Sequence, residues 1–215
     1  MPSNALAKFE NKMLVDVARI IDSHAALNHD GGGRRGLGHI TRSGVLMLCA
    51  SWELYVEELA IEVADCLASR ANAPNQLPLP VQKELSKLVR DHKHELKPLE
   101  LAGSGWEQVY TAHVREVMGG LNTPKSSPID DSYKRLLGWE NPSQHWTVGK
   151  DFINDFVKVR GDIAHRGSDA DYVRIGDLRD KYVAGICTTV AEHDNAACDF
   201  LHANSTGGRP WRRRT

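Results

Sequence analysis

The chain has 215 residues, 41% of them hydrophobic, enough to bury one sizeable core without calling for a second domain. Lys and Arg number 27 and Asp and Glu 28, a net charge of −1, so no global field draws the protein to nucleic acid or to an acidic membrane. Any polyanion must be met by local groups.

The N-terminal MPSNALAKFENKMLVDVARIIDSH has no basic segment leading into an unbroken apolar run and does not read as a secretion signal. No window approaches the roughly 20 apolar residues of a membrane span. Cys49, Cys66, Cys187 and Cys198 lack CxxC spacing and sit within apolar helical patterns, where a thiol serves as a small hydrophobe. That usage argues against a zinc site or a disulfide framework and for a reducing, cytoplasmic setting.

Apolar residues recur at three- and four-residue spacing along most of the chain, which predicts an all-α protein. The first helix is expected over Asn4–His29, with Leu6, Phe9, Met13, Val17, Ile20 and Ile21 on one face, ended by HDGGGRRGLGH. The second, His39–Ala71, carries the continuous stripe Val45, Leu48, Trp52, Val56, Leu59, Val63 and Leu67 and is the expected core helix. Prolines in NAPNQLPLP break it.

Shorter helices are expected at Val81–Asp91, Trp106–Leu121 and Ile129–Leu137. A stronger one follows at Val148–His165, burying Phe152, Phe156, Val159 and Ile163, with Gly167 as its C-cap. The last runs over Arg174–Ala203. This gives one helical domain, residues 1–203, and a flexible basic tail, residues 204–215.

Four stretches invite chemistry. GGGRRGLG lacks the GK[ST] ending and the preceding strand of a phosphate-binding loop and reads as a flexible loop, with Arg34 and Arg35 as candidate accessory phosphate contacts at most. In RDHKHEL, His92 and His94 are two apart and on a helix would diverge by about 200°, so no metal site is expected. RPWRRRT places four arginines around a tryptophan, a composition that suits nucleic acid but reads rather as an ordinary disordered ending.

The fourth stretch is RGDIAHRG, with Arg160 and His165 five positions apart. On a regular helix they stand about 140° from each other and about 7.5 Å apart along the axis. They are not stacked neighbours, and they converge only if the helix frays or a second chain supplies the partner group. Histidine suits proton transfer near neutral pH and arginine clamps phosphate, but basic residues also gather at helix C-termini because of the dipole.

The segment VRGDIAHRG after an amphipathic helix resembles the R-x4-6-H signature of HEPN domains, helical bundles common in bacterial toxin and antiviral systems. The helix GVLMLCASWELYVEELAIEVADCL and the segment LNTPKSSPIDDSYKRLLGW are similar to the corresponding parts of a bacterial HEPN branch. The likeness runs over residues 43–203.

The resemblance implies an antiparallel bundle that forms a homodimer, its two R-x4-H segments facing across a cleft, and metal-independent RNA cleavage without a cofactor. It makes His165 the general acid or base and Arg160 the phosphate clamp, with Asp162 either orienting His165 or solvated. Glu53, within an apolar stripe, either faces outward or, in such a bundle, pairs with Arg160. Arg166, Arg34 and Arg35 are candidate RNA contacts. Many active members carry a polar residue, often Asn, after the arginine, where this chain has Gly161.

The expected function is therefore an endoribonuclease acting as toxin or defence effector, with RNA as substrate and an antitoxin or nucleotidyltransferase as a further partner. The alternative is a non-catalytic helical dimer that binds RNA or protein.

Overall fold

A computed structural model describes residues 1–28 and 36–214. Among these residues there is no strand, and seven long helices account for the fold. They are α1 (residues 4–27), α2 (Gly38–Arg70), α3 (Leu79–Arg90), α4 (Gly105–Gly119), α5 (Ser126–Leu137), α6 (Lys150–Arg166) and α7 (residues 175–204). Helix α1 contains a π-turn at Phe9–Met13 and α7 another at Asp177–Val183. No helix among the described residues is long and apolar enough to cross a membrane.

Helix α2 is the axis of the molecule. Its predicted stripe, Val45 to Leu67, is buried throughout, and α1, α4, α5, α6 and α7 all pack on it. The aromatic residues beside that stripe are buried with their polar tips satisfied, which fixes helix to helix. Trp52 Nε1 donates to the Pro124 carbonyl at 2.9 Å, Tyr55 to the Val190 carbonyl at 3.0 Å, and Tyr133 to the Val56 carbonyl at 2.8 Å.

Prolines start two of the shorter helices. Pro80 and Pro128 occupy first turns, where no intrahelical partner is needed for the missing N–H, so α3 and α5 begin two and three residues earlier than the expected Val81 and Ile129. At α5, Asn154 Oδ1 accepts from Ser126 N–H at 3.0 Å and caps the extended turn.

Residues 205–214, which composition marks as a free basic tail, are instead docked along α7 and α1. Trp211 Nε1 donates to the Asp194 carbonyl at 3.3 Å, and Arg212 N–H to the Met1 carbonyl at 2.9 Å. Asn195 bonds the Arg214 backbone in both directions, at 2.6 and 2.8 Å. Asp199 pairs with Arg209 and Arg213, and Glu10 with Arg214. Asp199 lies on α7 and Glu10 at the other end of the chain, and composition alone shows neither pairing.

Two adjacent α7 residues titrate in opposite senses. His193 is enclosed by Trp52, Tyr55, Tyr133, Trp139 and Trp146 and accepts from Trp146 Nε1 at 3.0 Å. Burial pushes it down from 6.5 to about 3. Burial pushes Asp194 up from 3.8 to about 6, although the Ser3 hydroxyl donates to it.

On unfolding between about pH 4 and about pH 6, His193 takes up a proton and Asp194 releases one. Acidification therefore destabilises through His193 and stabilises through Asp194, each by about 1.4 kcal/mol per pH unit, and the two slopes oppose. Asp194→Asn removes the second. Relative to the parent, its stability in urea titrations is expected to fall by about 1.4 kcal/mol per unit as pH drops through this window, and a parallel pH profile would contradict the assignment.

Candidate active site

Helix α6 sets the two residues of the R-x4-H segment on different sides. Ile153, Phe156, Val157 and Ile163 form its packed face, and Arg160 continues that stripe at the spacing of successive turns. A guanidinium so placed needs a partner. Glu53 meets the same condition on α2, between the fully buried Trp52 and the buried Tyr55.

The two side chains meet: Arg160 Nη2 lies 3.1 Å from Glu53 Oε2, with 29% and 27% of the respective side chains exposed. The same nitrogen donates to the Asn122 carbonyl at 3.4 Å. Beneath the guanidinium lies the buried thiol of Cys49, which burial pushes up to about 11 against the pull of Arg160. Cys49 is thus a neutral, unreactive floor. All four cysteines are free.

His165 lies in the last turn of α6, which Gly167 terminates with a φ of 56° that favours glycine. The imidazole is exposed and makes no side-chain hydrogen bond among the described residues. It lines an open groove of about 790 Å³ between α6, the following turn and the start of α7. Arg160 is not part of that groove. Within one chain the pair stays divided, as the helical angle requires.

Asp162 does not orient His165. Arg166 Nη1 lies 3.2 Å from its carboxylate and Asp171 N–H donates to it at 3.3 Å. The Arg166 contact spans one helical turn, i to i+4, and draws the carboxylate away from the imidazole. Arg166 itself is exposed beside His165. Arg34 and Arg35 lie outside the described residues.

His92 and His94 follow the end of α3, and each Nδ1 accepts from the backbone N–H two residues ahead, at 3.0 and 3.3 Å. Among the described residues no group of three or more His, Cys, Asp or Glu side chains is placed to hold a metal ion.

Sequence reasoning missed the Asn122 carbonyl and Cys49, which reach Arg160 only through tertiary packing.

No curated protein and no solved structure matches the chain. A family model described as RiboL-PSP-HEPN matches residues 14–199, a span that takes in the core helix α2, Glu53 and the whole R-x4-H segment of α6. With its all-α architecture, the chain belongs to the RiboL-PSP-HEPN family of HEPN domains.

Proposed function

We propose that this protein is a metal-independent endoribonuclease, a toxin or antiviral defence effector that cuts RNA at a composite site across a homodimer interface. HEPN domains are often ribonucleases, and the observation that carries the reading here is the held guanidinium of Arg160 about 1.4 turns from a solvent-open His165 without a side-chain hydrogen bond among the described residues.

In this reading one histidine takes the proton from a ribose 2′-hydroxyl as its oxygen attacks the adjacent phosphorus. The bond to the 5′-oxygen breaks, and the other histidine protonates that leaving oxygen. Arg160 carries the charge that develops on the phosphate oxygens. The products are a 2′,3′-cyclic phosphate and a free 5′-hydroxyl.

This division of labour calls for a second copy, because a single chain keeps Arg160 and His165 on separate faces. Leu46, Met47, Ala50 and Leu54 leave an exposed apolar stripe on α2 alongside Glu53, the kind of surface that an interface covers.

Purified protein incubated with RNA in EDTA is expected to release cyclic-phosphate ends, and chelation is expected to leave the rate unchanged. Dependence of the rate on a divalent cation would overturn the mechanism. Gly161 favours a second reading, a dimer that binds RNA without turnover, and binding in the absence of any product would select it.

A further inference from the structure

The groove beside His165 extends well past the imidazole. Lys158, Gly161 and His165 line it from α6, Tyr172 from the connecting turn, and Lys181 and Tyr182 from α7. On α6 the positions 158, 161 and 165 recur at helical-turn spacing and share one face. Lys158 and His165 are therefore about 10.5 Å apart along the axis.

Between them the floor is bare backbone: a Cβ built on Gly161 meets nothing within 4 Å. Neither Lys158 nor Lys181 makes an ion pair among the described residues, and the Lys181 ammonium lies 5.2 Å from the centre of the Tyr182 ring. Three carboxylates also border the groove: Asp162 is taken by Arg166 and the Asp171 N–H, while Asp155 and Asp171 stand among the cationic side chains, so any phosphate is met by Lys158 and Lys181 locally and not by a net positive groove. Tyr172, 61% exposed, puts an aromatic ring at the rim.

Two ammoniums outside any ion pair among the described residues, aromatic walls and a side-chain-free floor ending at a histidine fit a nucleotide whose base is not held in a duplex. We propose that the groove from Lys158 across Gly161 to His165 seats an unpaired nucleotide adjoining the cut bond, with Lys158 and Lys181 on its phosphate. The inference rests on the ribonuclease reading. It makes Lys158 and Lys181 substrate-positioning residues and makes Gly161 a requirement of the seat rather than a defect.

The test uses a short fluorescent single-stranded RNA and its duplex, bound in EDTA to the full chain carrying His165→Ala so that nothing is cut. Binding of the single strand is expected to exceed that of the duplex. Adding Lys158→Glu is expected to weaken it about tenfold and to lower the salt slope by about one; Lys158→Arg restores it. Gly161→Leu, which the open space accommodates and helical propensity favours, is expected to weaken binding without lowering Tm.

In the otherwise native enzyme the same changes raise KM far more than they lower kcat. Equal affinity for single strand and duplex, or parent-like binding by both Lys158→Glu and Gly161→Leu, overturns the groove while leaving cleavage intact. A native protein that neither binds nor cuts RNA overturns the ribonuclease reading itself.

Discussion

Replacing Arg160 by alanine is expected to lower RNA cleavage by about 10²- to 10³-fold and at the same time to destabilise the fold by about 1 to 2 kcal/mol. The first effect follows because, in the proposed mechanism, Arg160 is the group that meets developing phosphate charge. The second follows from what stays behind. Glu53 loses its ion-pair partner in a site where only 27% of its side chain is exposed, and the Asn122 carbonyl loses its donor. The figure is kept small because the pair still touches solvent, which screens it.

His165→Ala separates the two effects. The imidazole is exposed and without a hydrogen bond among the described residues, so cleavage is expected to fall by about 10²- to 10⁴-fold with Tm unmoved. Adding Glu53→Gln to Arg160→Ala removes the stranded charge and is expected to recover stability but no activity. Thermal melts and initial rates on the four proteins decide the matter. Activity that follows Tm across the whole set would reduce Arg160 to a structural residue, and retained cleavage in His165→Ala would place the chemistry elsewhere.

The legible parts of the molecule are those where one element's own residues state the answer. The stripe from Val45 to Leu67 can face nothing but a core, and it does. Gly167 ends α6 because few other residues adopt its φ of 56°. The angle between Arg160 and His165 is likewise a property of one helix, and a carboxylate at position 53 inside an apolar stripe leaves only a short choice of fates.

What escaped depends on which of several possible partners each group meets once the chain is folded. The arginines of the C-terminal segment look free until Asp199 and Glu10 are brought beside them. Asp162, three residues from His165, looks like its partner until Arg166 and the Asp171 N–H compete for the same carboxylate. The Asn122 carbonyl joins Arg160 only because the segment before α5 is drawn onto α2, where Pro124 accepts from Trp52. Local spacing states which groups need partners, and packing chooses among the candidates.

Trp52 is where that packing is most exposed to challenge. Its ring is fully buried, its Nε1 donates to the Pro124 carbonyl at 2.9 Å, and it lies edge-on to Trp146 with ring centres 5.6 Å apart. Trp52→Ala is expected to cost about 3 to 5 kcal/mol, a large share of the roughly 5–15 kcal/mol that holds a domain folded. Trp52→Phe keeps most of the apolar volume but strands the Pro124 carbonyl, and a cost of about 1 to 3 kcal/mol is expected. Urea unfolding measures both.

The phenylalanine variant carries a consequence for activity as well. Trp52 precedes Glu53, and Pro124 follows Asn122 by two residues, so one indole hydrogen bond ties together both backbone segments that hold Arg160. Loosening it lets the guanidinium wander without touching it, and cleavage by Trp52→Phe is expected to fall several-fold at temperatures where the variant is fully folded. Parent-like cleavage under those conditions would show that Arg160 is positioned by Glu53 alone.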